Sequence, residues 1–288
     1  MLRRVQFLLL ILAPLAVFAA MVGADRVFGG PGRGRDYVVR LTLPPAADEI
    51  GLPKVLGPLD ASRPLVVIDA GHGGHDPGAG TGSLKEKALT LELAQALRDA
   101  LLAGGGVRVA LTRDDDRFLL LPERAGIARR LKADLFISIH ADSSANGDAR
   151  GATVYTLSER GSSDTSARLA ESENRADVIN GVSLSGKDDA VSAILVDLSQ
   201  RESAAQSAAF AGLVLREGTG HLNFREQAIQ SAAFIVLKSA DLPSVLLEAG
   251  YISNPDDAEW LASPRGQAAF ADATARAVRV YFARRLAS

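Results

Sequence analysis

The sequence predicts an α/β fold, a sheet with both faces covered, interrupted by a long helical insertion. Three observations point there. From residue 64 onward, short apolar runs alternate with helix-period segments. The runs are continuous rather than alternating, as expected for strands covered on both faces. Gly and Pro punctuate the joints.

Residues 65–68 are the first such run. Leu89, Leu93, Leu97 and Leu101 recur every four residues, marking an amphipathic helix that stops at Gly104-Gly105-Gly106. Residues 107–111 read as the next strand, and residues 122–131 as a helix with Pro122 in its first turn. Further strands are expected at 135–139, 152–157, 234–237 and 245–247. Ser263-Pro264 opens a closing helix with Phe270, Ala273, Ala277 and Tyr281 on one face. Residues 158–218 interrupt this rhythm: they carry no strand signal, and helices are expected at 165–179 and 190–216 around a loop at 181–189. So long a strandless stretch is unusual for a crossover and suggests a surface excursion, a lid or a regulatory element.

The chain has 288 residues and a formal net charge of −2, a balance that argues against a nucleic-acid binder. It has no cysteine, which excludes disulfides, thiolate metal sites and cysteine nucleophiles. Arg3 and Arg4 precede an apolar stretch, residues 5–24, that ends in the small residues Val22-Gly23-Ala24. This is the layout of a signal peptide, with an uncleaved membrane anchor as the rival, and in both cases the remainder works outside the cytoplasm. Residues 25–63 form a linker broken by Gly29-Gly30-Pro31 and Pro44-Pro45, with a short accessory strand at 37–43. Residues 64–288 are expected to form one domain, with 158–216 an insertion in it.

Three strands end in chemistry. Ile68-Asp69 leads into Ala70-Gly71-His72-Gly73-Gly74, Ile139 into His140-Ala141-Asp142, and Leu247 into Glu248-Ala249-Gly250. In open α/β sheets ligands gather beyond the carboxyl ends of strands. If these three strands are parallel neighbours, His72, His140 and Glu248 converge. Zinc hydrolases commonly offer two histidines and a carboxylate, and His72 and His140 suit that role or that of structural histidines at strand ends. Glu86 suits a capping box, Ser83-Leu84-Lys85-Glu86, better than ligation on pattern alone. Glu248 is either a strand-end salt-bridge partner or a general base. His75 and His221 fall in turns and read as exposed, and Asp114-Asp115-Asp116 as a solvated turn. No Gly-x-Ser-x-Gly elbow supports a serine hydrolase.

Taken together, Ile68-Asp69-Ala70-Gly71-His72-Gly73-Gly74-His75-Asp76-Pro77-Gly78-Ala79, Lys85-Glu86, Ser138-Ile139-His140-Ala141-Asp142 and Leu247-Glu248-Ala249-Gly250-Tyr251-Ile252-Ser253-Asn254 resemble the zinc-dependent N-acetylmuramoyl-L-alanine amidases. Within them the chain is most similar to the periplasmic cell-separation branch. The resemblance implies one zinc held by His72, Glu86 and His140, replacing the capping role for Glu86, and Glu248 as catalytic glutamate. It implies a single twisted, mostly parallel sheet flanked by helices, residues 64–288 as the catalytic domain with 158–216 as its regulatory insertion near the active site, and cleavage of the amide between muramic acid and L-alanine in peptidoglycan. It further implies that the insertion blocks the site until an activator with a degenerate metallopeptidase-like domain displaces it. Glu159, Asp164, Glu171 and Glu173 are the candidates to cap the zinc. Two other readings stand beside this one: a zinc peptidase cutting within the stem, and an inactive cell-wall binding protein of the same fold.

Overall fold

The computed structural model describes residues 51–287 except 82, 145–147, 180–181, 184–192 and 240, and before them only 16, 17 and 20. The chain divides into two compact units, Met1–Gly51 and Leu52–Ser288. The expected export segment and the accessory strand at 37–43 lie outside the described residues. The end of the expected linker belongs to the second unit, because Leu56 exchanges backbone hydrogen bonds with Val109 at 2.8 and 2.9 Å. Among the described residues no helix is long and apolar enough to cross a membrane.

The second unit is built on a six-stranded sheet of β1 (Leu65–Ala70), β4 (Arg108–Leu111), β5 (Leu135–Asp142), β6 (Ala152–Leu157), β9 (Phe224–Ala232) and β10 (Ser244–Tyr251). The two-residue ladders β2 (Gly80–Thr81) with β3 (Leu84–Lys85), and β7 (Val178–Ile179) with β8 (Val182–Ser183), stand apart from it. The spatial order is β4-β1-β5-β10-β6-β9. Strands β4, β1, β5 and β10 are parallel; β6 runs antiparallel to β10, and β9 follows β6 in parallel. The three strands expected to converge are thus consecutive and point the same way.

Both faces are covered. On one, α1 (Glu86–Gly104), α4 (Ala193–Gly218) and α6 (Pro264–Ala287) pack over Val66, Ile68, Ile137, Ile139, Val245 and Leu247. The leucine stripe of α1 performs as its spacing predicts: Leu89, Leu93, Leu97 and Leu101 are at most 1% exposed, each adding about 2 kcal/mol of apolar burial. On the other face α2 (Leu121–Arg130), α3 (Asp164–Glu173) and a 3₁₀ turn, Ile235–Leu237, cover Leu65, Val67, Phe136, Tyr155 and Leu246. The remaining helix, α5 (Pro255–Ala262), opens on an Asn254 side-chain cap.

Three expectations are corrected. Residues 234–237 are a 3₁₀ turn, not a strand: Phe234, Val236 and Leu237 are buried, but the ladder beside β6 is made by Phe224–Ala232. That edge strand escapes prediction because its first four residues, Phe-Arg-Glu-Gln, are exposed or half-buried and carry no apolar run. The insertion is not strandless, since it holds the β7–β8 pair, and its first helix ends at Glu173 rather than 179. Finally, Lys85 occupies the N-cap position of α1 without a side-chain cap, so Ser83 and Glu86 form no capping box.

Candidate active site

His72 sits just beyond β1 with φ of 59° between two glycines, a left-handed conformation that costs a β-carbon-bearing residue of order 1–3 kcal/mol. Two buried arginines hold it there. Arg124 donates to the carbonyls of Ala70 (2.7 Å) and His72 (2.8 Å), and pairs with buried Asp69 at 3.0 Å. Arg113 donates to the carbonyls of Ala70 (2.9 Å), Gly71 (2.7 Å) and Lys87 (2.8 Å). The carbonyls at the end of β1 and in the loop that follows it thus find charged donors. Burial and the nearby Arg124 charge push Arg113 down to about 10.

Because β10 and β5 are in register, Glu248 lies opposite His140, and Thr153 of β6 lies opposite Glu248. His140 and Glu248 therefore share a sheet face at the carboxyl ends of β5 and β10, where His72 from beyond β1 and Glu86 from the first turn of α1 join them. The His72 and His140 rings stand edge to face with centroids 4.9 Å apart. His72 Nε2 is 3.1 Å from Glu86 Oε1, and His140 Nδ1 is 3.3 Å from the same oxygen. Glu173, the last residue of α3, brings Oε2 to 3.4 and 3.1 Å of those two nitrogens. Of the four insertion carboxylates considered from sequence, Glu173 is the one that meets this cluster.

Supporting contacts orient each group. His72 Nδ1 donates to Asp76 Oδ2 at 2.8 Å, leaving Nε2 to face the carboxylates. Glu86 Oε2 accepts from the Ala79 amide and Oε1 from the Ala141 amide. Gly71 is required here: a Cβ at that position would lie 2.6 Å from His140 Cε1. The insertion's end is tied down too. Asn174 bridges Ala233 O and the Ile235 amide, and Asp177 accepts from the Leu121 amide at 3.0 and 3.2 Å, satisfying the start of α2.

The electrostatics are those of carboxylates crowded around two imidazoles. Burial opposes a proton on His72, but Glu86, the Asp76 hydrogen bond and Glu173 outweigh it and raise the ring to about 10. His140 is likewise raised to about 10, burial being overcome by Glu173 and Glu86. Glu86 is held well below the usual carboxylate range: its burial is overcome by the two histidines. Glu248 moves the other way, because it is buried and repelled by Asp142, Glu86 and Glu173. Both its oxygens are buried without a hydrogen-bond partner. Asp142 rises to about 7, mainly through burial.

The donor set fits a divalent metal. His72 Nε2 and His140 Nδ1 are buried without a hydrogen bond, and with Glu173 they offer ligand atoms all within 4.8 Å of one another. Two imidazole nitrogens, once metal binding displaces their protons, plus carboxylate oxygens suit zinc. His75 and His221 are exposed and take no part, as expected, and Asp114, Asp115 and Asp116 are exposed. Sequence reasoning assigned no role to Asp69, Asp76, Arg113 or Arg124. Their signal was a charged residue in the apolar strand β1 and one at a buried position of α2.

Fold and site define an α/β protein with its polar chemistry at the carboxyl ends of parallel strands, gathered into a cluster able to hold a metal ion. The family model described as N-acetylmuramoyl-L-alanine amidase matches residues 66–280. The chain is 38% identical over 223 residues to N-acetylmuramoyl-L-alanine amidase AmiA of Salmonella typhimurium, covering 77% of each. Among solved structures it is similar to N-acetylmuramoyl-L-alanine amidase AmiC2 of Nostoc punctiforme, with 30% identity, a TM-score of 0.54 and coverage of 76% and 97%. The catalytic domain of CwlV, an N-acetylmuramoyl-L-alanine amidase from Bacillus (Paenibacillus) polymyxa, gives 26% identity, a TM-score of 0.55 and coverage of 76% and 98%. The chain belongs to the N-acetylmuramoyl-L-alanine amidase family.

Proposed function

We propose that this chain is an exported, zinc-dependent amidase that cleaves the bond between N-acetylmuramic acid and L-alanine in peptidoglycan. The observation that carries the proposal is the meeting of His72, Glu86 and His140 beside a buried Glu248 whose oxygens have no protein partner. His72, Glu86 and His140 would hold the zinc, which when bound polarises the scissile carbonyl and makes water a competent nucleophile at neutral pH.

The remaining work falls to the chain's own groups. Asp76 keeps the His72 proton on Nδ1, so that Nε2 is free to ligate. Burial and neighbouring carboxylates make Glu248 a stronger base than an ordinary glutamate. Glu248 takes the proton of the attacking water and returns it to the departing alanine nitrogen.

Glu173 supports self-inhibition: a carboxylate from the insertion stands where substrate or water has to enter. Displacement of α3 by an activator would open the site. Export to the periplasm, a role in daughter-cell separation and an activator with a degenerate metallopeptidase-like domain complete the proposal.

Digestion of purified sacculi with and without chelator tests it. Glycan freed of its stems, peptides beginning with L-alanine, and loss of both with chelator or Glu248→Gln are expected. Released D-alanine or split crosslinks would instead assign a peptidase.

A further inference from the structure

Strands β6 and β9 pair regularly from Val154↔Ile229 to Leu157↔Ala232, yet Ala152 faces Phe224. A step of two residues on β6 (152 to 154) is matched by five on β9 (224 to 229), so β9 bulges beside Glu248's partner Thr153. Bulges redirect side chains next to active sites, and Arg225 lies at the start of this one. Its Nη1 donates to the Tyr251 hydroxyl, and its guanidinium carbon lies 5.3 Å from the centre of that ring. Tyr251 follows Glu248 by three residues on β10 and pairs with Asp142. Among the described residues no carboxylate comes within 4.0 Å of Arg225, and Nη1 is its one nitrogen with a protein acceptor. Arg225 is half-buried. It is a fixed guanidinium with its Nε and Nη2 donors uncommitted. Thr153 Oγ1, directly across the ladder from Glu248, and Tyr155 Oη, which feels the charges of both Glu248 and Arg225, are buried without partners.

The rest of the site is acidic: Asp76, Glu86, Asp142, Glu173 and Glu248. A peptidoglycan stem is also acidic, carrying free carboxylates at its second and third residues. A planar guanidinium is the group best suited to receive such a carboxylate. We propose that Arg225, held by Tyr251, is an anion-binding subsite that takes a stem carboxylate and sets which stems bind. This rests on the amidase proposal above.

The test is calorimetric binding of three soluble N-acetylmuramoyl-tripeptides to the full chain carrying Glu173→Ala and Glu248→Gln, with and without Arg225→Gln. One peptide has all its carboxylates free, one is amidated at the free carboxyl of the second residue, and one at the side-chain carboxyl of the third. The free peptide should bind about tenfold more tightly than the form lacking the recognised carboxylate, as expected for a charge-assisted pair. Arg225→Gln should erase that difference while leaving the amidated peptide's affinity unchanged, and Arg225→Lys should retain part of it. Equal affinity for all three peptides, no binding, or an equal loss for all three with Arg225→Gln overturns the subsite. Incubating the Glu173→Ala chain with the free peptide separates the two proposals. An intact muramoyl–alanine bond alongside surviving carboxylate discrimination refutes the amidase proposal, and cleavage without discrimination refutes the subsite.

Discussion

Arg124→Met removes a buried guanidinium but keeps most of its volume, so its effect reports charge and hydrogen bonding rather than a cavity. In the native chain Arg124 and Asp69 are 2% and 0% exposed and 3.0 Å apart. The substitution leaves Asp69 with only the Thr112 and Ser138 hydroxyls, at 2.6 and 2.7 Å. It also strips guanidinium donors from the His72 and Leu119 carbonyls. Breaking a buried pair by removing one partner costs about 3–5 kcal/mol. The pH dependence gives a second handle. Burial raises Asp69, but Arg124, Thr112 and Ser138 outweigh it and hold the carboxyl below its ordinary range. Its native contribution is therefore present above the unfolded value, about 3.9, and lost as pH falls through the folded one. Without Arg124 burial dominates, Asp69 protonates at a higher pH, and the penalty shrinks on acidification. Urea unfolding of both chains at neutral and mildly acid pH measures this. A loss below about 1 kcal/mol, or a loss independent of pH, would refute the assignment of Arg124–Asp69 as the buried pair that anchors the His72 loop.

Three further outcomes are expected. His72 and His140 are both raised from 6.5 to about 10, so their contribution is complete below the lower value and lost as pH climbs through the upper one. The melting temperature of metal-free protein should fall between neutral pH and pH ~10, and added zinc should flatten that decline; a flat metal-free profile would contradict it. Glu173→Ala should raise basal release of stems from sacculi severalfold, and an unchanged rate would remove the case for self-inhibition. Gly71→Ala places a Cβ 2.6 Å from the His140 ring; about 1–3 kcal/mol of stability and some zinc affinity in chelator competition should be lost, and unaltered zinc affinity would show that His140 has no fixed place.

The parallel core was legible because its strands are short, uniformly apolar and separated by strong stop signals. Once β1, β5 and β10 are placed side by side, the convergence of His72, His140 and Glu248 follows from where each run ends. Glu86 was harder: a glutamate after Ser83 at the head of a helix satisfies the rules for a cap as well as those for a ligand. The fold sets the capping role aside, leaving α1 without a side-chain cap and bringing the Ala79 and Ala141 amides onto the two oxygens of Glu86. Glu173 could be shortlisted but not selected, since its reach depends on where α3 stops, and that is decided by Asn174 and Asp177 bonding to distant parts of the chain. Arg113 and Arg124 were illegible for a similar reason. Most of their acceptors are carbonyls, and backbone geometry leaves no trace in residue identity. The edge strand β9 was missed because half of it faces solvent and it bulges at Arg225.

The tie between Asp177 and the Leu121 amide links two things that look separate. Leu121 begins the same helix that carries Arg124, one turn further on, and Arg124 grips the loop bearing His72. Whatever peels the insertion from the sheet must also uncap that helix and slacken its hold on the histidine. The segment that ends at Asp177 and the loop that carries His72 are thereby geared together, so that unlatching one softens the other.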